Sequence, residues 1–156
     1  MNKTISVVNE LLVDTFNDIL TVEQEALKKG ALNDLSVTEI HTIEAVGMYE
    51  LKNMSEIASD LNITVGTLTM AVNNLVKKGY VERVKKEGDR RVVQVRLTKK
   101  GKVAYRLHEK FHKDMVKETV QGLSPEEEEI LISSLEKLNS FFKERYNLKG
   151  SRKHDK

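Results

Sequence analysis

Apolar residues recur at helical spacing along most of the chain and at alternate positions in one interval. Val8, Leu11, Leu12, Val13, Phe16, Ile19, Leu20 and Val22 form a wide stripe that runs out at Lys28-Lys29-Gly30, two basic residues and a glycine. The spacing predicts a long first helix. Ser36 and Glu39 make a capping box ahead of Ile40, Ile43 and Val46, with Gly47 as the stop. Asn53 and Glu56 repeat that logic for a helix of about two turns with Ile57, Ala58 and Leu61 inward. Thr64 then caps VGTLTMAVNNLVKK, in which Val65, Leu68, Val72, Leu75 and Val76 share one face and Gly79 closes the end.

YVERV and RVVQVRL break the helical period. They alternate, with Val93, Val95 and Leu97 on one side and Val92, Gln94 and Arg96 on the other, and so predict a hairpin whose charged connection, KKEGDR, projects into solvent. Thr98 caps a helix over 99–120 with Ala104, Leu107, Phe111 and Met115 inward. Ser124-Pro125-Glu126-Glu127 opens a last helix striped by Leu131, Leu135, Leu138, Phe142 and Tyr146. The closing KGSRKHDK is expected to be a disordered tail.

A short helix, a brief turn, a polar-faced helix and a basic hairpin make a winged helix-turn-helix. The predicted fold is therefore mainly α, with a two-stranded β-wing and helices at both ends. Residues 1–34 form an N-terminal dimerisation helix, 35–100 the DNA-binding lobe, 101–147 C-terminal dimerisation helices, and 148–156 the tail. Dimerisation is expected because both end segments carry stripes wider than one small lobe can cover.

The outer face of the helix after Thr64 points to chemistry. Gly66, Thr69, Met70, Asn73 and Lys77 lie on one side, flanked by Thr67 and Asn74, where a solvated helix would carry stronger helix formers. Asn bonds adenine at two atoms, Thr offers hydroxyl and methyl, and Gly lets backbone approach a phosphate. Net charge over the whole chain is only +2, yet Lys77–Lys102 holds eleven Lys or Arg against three acids. Such a concentrated stretch suits a polyanion. Arg83, Lys85, Lys86, Arg90 and Arg91 are the expected wing and phosphate contacts, with Asp89 orienting a neighbouring arginine through a charge-assisted bond.

Other classes fare worse. The chain has no cysteine, which excludes disulfides and thiolate metal sites. No apolar run is long enough for a bilayer and the N-terminus soon meets Glu10, Asp14 and Asp18, so the expected location is the cytoplasm, away from membranes. His108-Glu109-Lys110-Phe111-His112 has the H-E-x-x-H spacing of zinc peptidases. The longer motif fails at Met115, and Lys110 puts a cation inside the string. The expectation is no enzyme, no cofactor and no metal, with the histidines serving a junction between the reading lobe and the end helices.

ITVGTLTMAVNNLVKKGYVER, the D-x-R spacing of Asp89 and Arg91, and VRLTKKGK resemble the multiple-antibiotic-resistance regulator (MarR) family of bacterial transcription factors. The resemblance implies Thr67, Thr69 and Asn73 in the major groove and Arg91, steadied by Asp89, in the minor groove; Met70 stands where many members are basic. HTIEAVG, LTKKG and RLHEKFHKDMV are most similar to the fatty-acid-biosynthesis repressors of Gram-positive cocci. That subgroup implies a homodimer on a palindromic operator, repressing type II fatty-acid synthesis genes with long-chain acyl carrier protein as corepressor. The other reading within the family is an efflux or stress repressor released by a small aromatic ligand. Phe16, Leu20, Ile43 and Phe111 are the expected lining of an effector pocket.

Overall fold

The computed structural model describes residues 2–149. Six helices and three strands follow one another: α1 (Lys3–Lys29), α2 (Val37–Val46), β1 (Lys52–Asn53), α3 (Met54–Asp60), α4 (Val65–Lys78), β2 (Val81–Lys86), β3 (Asp89–Leu97), α5 (Lys99–Val120) and α6 (Pro125–Tyr146). The chain divides after Glu39 into two compact units.

The first unit is dominated by α1. Asn2 caps it by accepting from the Thr4 backbone N–H at 3.1 Å, and it stops at Gly30, whose backbone there is extended. Of its residues only Glu23 and Leu27 are buried. The predicted stripe is real but open: Val8, Leu11, Leu12, Val13, Phe16, Ile19 and Val22 are all exposed.

Beyond α1, local capping sets the helix starts. Ser36 Oγ accepts from Glu39 N at 3.1 Å while Glu39 Oε2 accepts from Ser36 N at 3.1 Å, closing the box at the head of α2. Asn53 Oδ1 accepts from Glu56 N at 2.8 Å at the head of α3, and Thr64 Oγ1 from Thr67 N at 3.2 Å at the head of α4. Ser124 and Glu127 form the box that starts α6. Ile40, Ile43, Val46, Ile57, Leu68, Val72, Leu75 and Val95 have no exposed surface and make the core. Each such aliphatic side chain stabilises the fold by about 2 kcal/mol through its removal from water.

The sheet has three strands in the order β1-β3-β2, where two were expected. In β1, Lys52 pairs with Val95 and Asn53 with Gln94, a strand too short to leave any alternation in the sequence. Lys52 anchors it. Its ammonium donates to Ala45 O at 2.9 Å and lies 3.1 Å from Glu50 and 3.3 Å from Asp60. Burial by itself would lower the Lys52 pKa, but the Glu50 and Asp60 carboxylates outweigh it and hold the value above the ordinary 10.5.

Four expectations need correction. The wing connection is shorter than KKEGDR, because the strands continue to Lys86 and resume at Asp89, leaving Glu87 and Gly88 at the tip; Gly88 has φ +87°, a conformation that costs other residues strain. In α4 the buried positions are Leu68, Ala71, Val72 and Leu75, while Val65 and Val76 are exposed, since a short helix hides only the narrow 68/71/72/75 arc. In α5 the buried residues are Gly101, Ala104 and His108, and Leu107 is 41% exposed; the buried stripe follows a polar residue that an apolar pattern passes over. The expected tail is the fourth: Leu148 N donates to Lys143 O at 3.0 Å and Lys149 N to Asn62 Oδ1 at 3.3 Å, so these two residues are tied down, while 150–156 lie outside the described residues.

Gly101 marks the tightest approach. A Cβ there would sit 2.0 Å from Tyr80 O and 3.2 Å from Leu97 Cβ, so the first turn of α5 fits against the start of β2 only because this side chain is missing. Thr98 joins the same corner: its N–H donates to Tyr80 O at 3.0 Å, its hydroxyl donates to Gly79 O at 2.6 Å, and it accepts from Gly101 N at 3.1 Å.

No residue of α6 is buried, and Ile130, Leu135, Phe141 and Tyr146 are more than half exposed. Among the described residues no helix is long and apolar enough to cross a membrane.

Candidate nucleic-acid interface

α4 turns Leu68, Ala71, Val72 and Leu75 into the core, and that choice fixes what its other side presents. Gly66, Thr67, Met70, Asn73, Asn74 and Lys77 are exposed, and Thr69 is half-buried. Thr69 Oγ1 donates to Val65 O at 2.8 Å, and the Thr64 hydroxyl donates to that of Thr67 at 3.0 Å. Both hydroxyls thereby have a partner within the helix and its cap. Met70 is 72% exposed, a large flexible apolar side chain at the centre of a polar face.

Asn73 is fixed from outside its helix. The Arg83 guanidinium, on β2, donates through Nη2 to Asn73 Oδ1. Arg83, expected from the sequence to be one of the wing's phosphate contacts, stands at the root of the hairpin and ties α4 to β2. Its bond also orients the amide, because the occupied Oδ1 leaves the Nδ2 hydrogens directed elsewhere.

At the other end of the hairpin, Asp89 Oδ1 accepts from Arg91 N at 3.1 Å and from Arg91 Nε at 3.2 Å. The Arg91 side chain is 92% exposed, so the aspartate sets the direction of an arginine that points into solvent. Those bonds from Arg91, side chain first and backbone second, hold the Asp89 carboxyl below its ordinary 3.8. Lys85, Lys86 and Arg90 are exposed around the tip. Between Lys85 and Lys86 the register shifts, the partner on β3 passing from Val93 to Asp89, so the irregularity falls on the tip half of β3.

Two contacts of this surface escaped the sequence reading. Glu82 and Arg96 are paired in register across β2 and β3, and Arg96 Nε donates to Glu82 Oε1 at 2.6 Å. The alternation of the strands carried that signal once their register was fixed. Lys100 Nζ donates to Lys78 O at 2.8 Å and lies 4.3 Å from the Tyr80 ring centroid, closing the C-terminus of α4 with a cation.

The remaining candidates are scattered in character. Phe16 on α1 is 64% exposed and Leu20 half-buried; in the second unit Ile43 is wholly within the core, and Phe111 is half-buried with its ring 5.4 Å from that of His112. His108 is buried and His112 half-buried, whereas Glu109 faces solvent.

A recognition helix with an ordered amide, backed by a basic hairpin that carries a directed arginine, defines a winged helix-turn-helix protein. The description of the MarR family matches residues 35–93. The structure is similar to that of Streptococcus pneumoniae FabT in complex with DNA, at 40% identity and a TM-score of 0.86 over 90% of this chain and 98% of that one. It also shares its fold with the reduced form of MarR from E. coli, at 23% identity and a TM-score of 0.69 over 84% and 95% of the two chains. In sequence it is 30% identical over 125 residues to the HTH-type transcriptional regulator PchR of Bacillus subtilis, 75% of this chain and 74% of the relative. The chain belongs to the MarR family of transcriptional regulators and is not an enzyme.

Proposed function

We propose that this regulator is a cytoplasmic homodimeric repressor that reads a palindromic operator and controls type II fatty-acid synthesis genes, with long-chain acyl carrier protein as corepressor. The observation that carries the DNA-reading part is the Arg83–Asn73 bond, which orders an amide on the exposed face of α4 beside a basic hairpin. In this reading Gly66, Thr67, Thr69, Asn73, Asn74 and Lys77 face the major groove, with Met70 giving an apolar contact such as a thymine methyl takes. Arg91, aimed by Asp89, enters the minor groove, and Lys85, Lys86 and Arg90 follow phosphates.

The exposed stripes of α1 and α6 support a second copy as the partner that covers them. Two-fold symmetry then sets half-sites about one helical turn apart. The choice of genes and corepressor is supported by 40% identity across nearly the full length of the FabT structure.

Fluorescence anisotropy on a palindromic duplex tests the reading. Specific binding with a steep salt dependence is expected, strengthened by long-chain acyl carrier protein and indifferent to the unacylated carrier. Release by a phenolic acid, with no response to the acylated carrier, would replace lipid feedback by the small-aromatic mode.

A further inference from the structure

Met70 stands at the centre of the exposed face of α4, and its exposure sets it apart. Among the described residues Met48, Met54 and Met115 are half-buried, while Met70 is 72% exposed. We propose that the Met70 thioether is an oxidation site, converted to the sulfoxide by hypochlorous acid, and that this modification releases the protein from its operator. The release rests on the reading of α4 as the helix that enters the major groove; the reactivity of the sulfur does not.

Sequence and fold together leave that sulfur open. The chain has no cysteine, so no thiol competes for a two-electron oxidant and thioethers are the only sulfur it offers. A helical side chain leans back over the turn before its own, which for Met70 means over Gly66 and Thr67. Gly66 has no side chain to cover the sulfur, and a Cβ placed there would meet only Thr64 Oγ1, at 3.9 Å. The Thr67 and Thr69 hydroxyls bond to Thr64 and to Val65 O, within the helix and its cap. Charge brings the oxidant in. Lys77 on the same face and Arg83, bonded to Asn73, belong to a stretch with eleven Lys or Arg against three acids, a field that attracts the hypochlorite anion.

The step is a two-electron oxidation. Sulfur gains the oxygen of hypochlorous acid as a new S–O bond while the O–Cl bond breaks; sulfur is oxidised, chlorine is reduced and leaves as chloride, and the proton goes to solvent. A flexible apolar side chain thereby becomes a polar one with a strong acceptor and no donor. The edges it would face are rich in acceptors, N7 and O6 of guanine, N7 of adenine and O4 of thymine, and a thymine methyl offers no donor. An acceptor stripped of water against such a surface, with no hydrogen bond in return, weakens the complex. Reductases specific for each sulfoxide epimer make the change reversible.

The test uses the full chain with hypochlorous acid as the probe. Peptide mass spectrometry follows the gain of oxygen at each methionine, and anisotropy follows binding to the palindromic duplex, each protein being compared with its own untreated form. Met70 is expected to oxidise faster than Met48, Met54 and Met115 and to be shielded by bound duplex. Its oxidation is expected to lower operator affinity by about tenfold or more, and sulfoxide reductases to restore it. Met70→Leu, whatever its starting affinity, is expected to lose none on treatment. Full oxidation of Met70 with unchanged affinity, an equal loss in treated Met70→Leu, or a loss of affinity that tracks a loss of helical circular dichroism would overturn the switch and leave the DNA-reading face standing. An untreated chain with no preference for any duplex sequence would instead remove that face, and the proposed release with it.

Discussion

Asn73 on α4 and Arg83 on β2 are joined by a hydrogen bond from guanidinium to amide oxygen, ten residues apart in sequence and across the turn between helix and hairpin. The pair couples the orientation of the reading helix to the root of the wing. Arg83→Ala is expected to weaken operator binding although the arginine stands away from the hairpin tip. Asn73→Ala should cost about 1–3 kcal/mol and relax discrimination at one base pair. Since one residue acts through the other, a double-mutant cycle by anisotropy should show a coupling of at least about 0.5 kcal/mol. Strict additivity would mean that Arg83 acts on DNA independently.

Asp89 and Arg91 make the same kind of pair at the tip, with a pH signature. The folded carboxyl titrates below its ordinary 3.8 because the Arg91 bonds favour its ionised form. The interaction is therefore present above that value and is lost as pH falls through the depressed one. NMR titration of Asp89 should show the lowered pKa in the wild type and its return toward 3.8 in Arg91→Ala.

On DNA, Arg91→Ala is expected to reduce the salt slope by about one. Asp89→Ala removes a negative charge from the wing and so favours binding by electrostatics alone. Weaker binding by Asp89→Ala would show that aiming the arginine outweighs the gain in charge.

Gly101→Ala is expected to destabilise the protein by about 3 kcal/mol or more, because the added Cβ would lie 2.0 Å from a backbone oxygen. Urea unfolding measures it. Gly122→Ala, where nothing lies within 4 Å, is the matched control and should be near neutral.

Leu135→Glu, at a position 54% exposed on α6, is expected to weaken self-association by at least about tenfold while leaving the helical circular dichroism intact. Sedimentation velocity across a dilution series checks it. An unchanged dimer would remove this stripe from the interface.

What the sequence disclosed follows the range of the forces involved. The caps at Ser36, Asn53, Thr64 and Ser124 are contacts over three residues, and each was legible from residue type and spacing alone. The Asp89–Arg91 bond spans two residues and was legible for the same reason. β1 was hidden because two residues cannot alternate, and its partner in β3 lies some forty residues on. Arg83 was assigned to phosphate from its charge; only the fold brings it to Asn73. His108 was missed as a buried residue because a polar side chain interrupts an apolar stripe, and its neighbours from α2 had no trace in local spacing.

β3 runs from Asp89 at the wing tip to Leu97, in regular register with β2 from Val93 onward, and Thr98 passes it straight into α5. Nine strand residues extend about 30 Å. Flanked by β1 at Gln94 and Val95 and by β2 along its length, and locked at its base by Thr98 and Gly101, the strand is a shaft with α5 as its handle. A tilt of about ten degrees at the handle sweeps the tip through roughly 5 Å over such a length. That distance is close to the roughly 6 Å width of a minor groove, so if Arg91 reads that groove as proposed, a small turn of α5 is expected to change whether the tip engages.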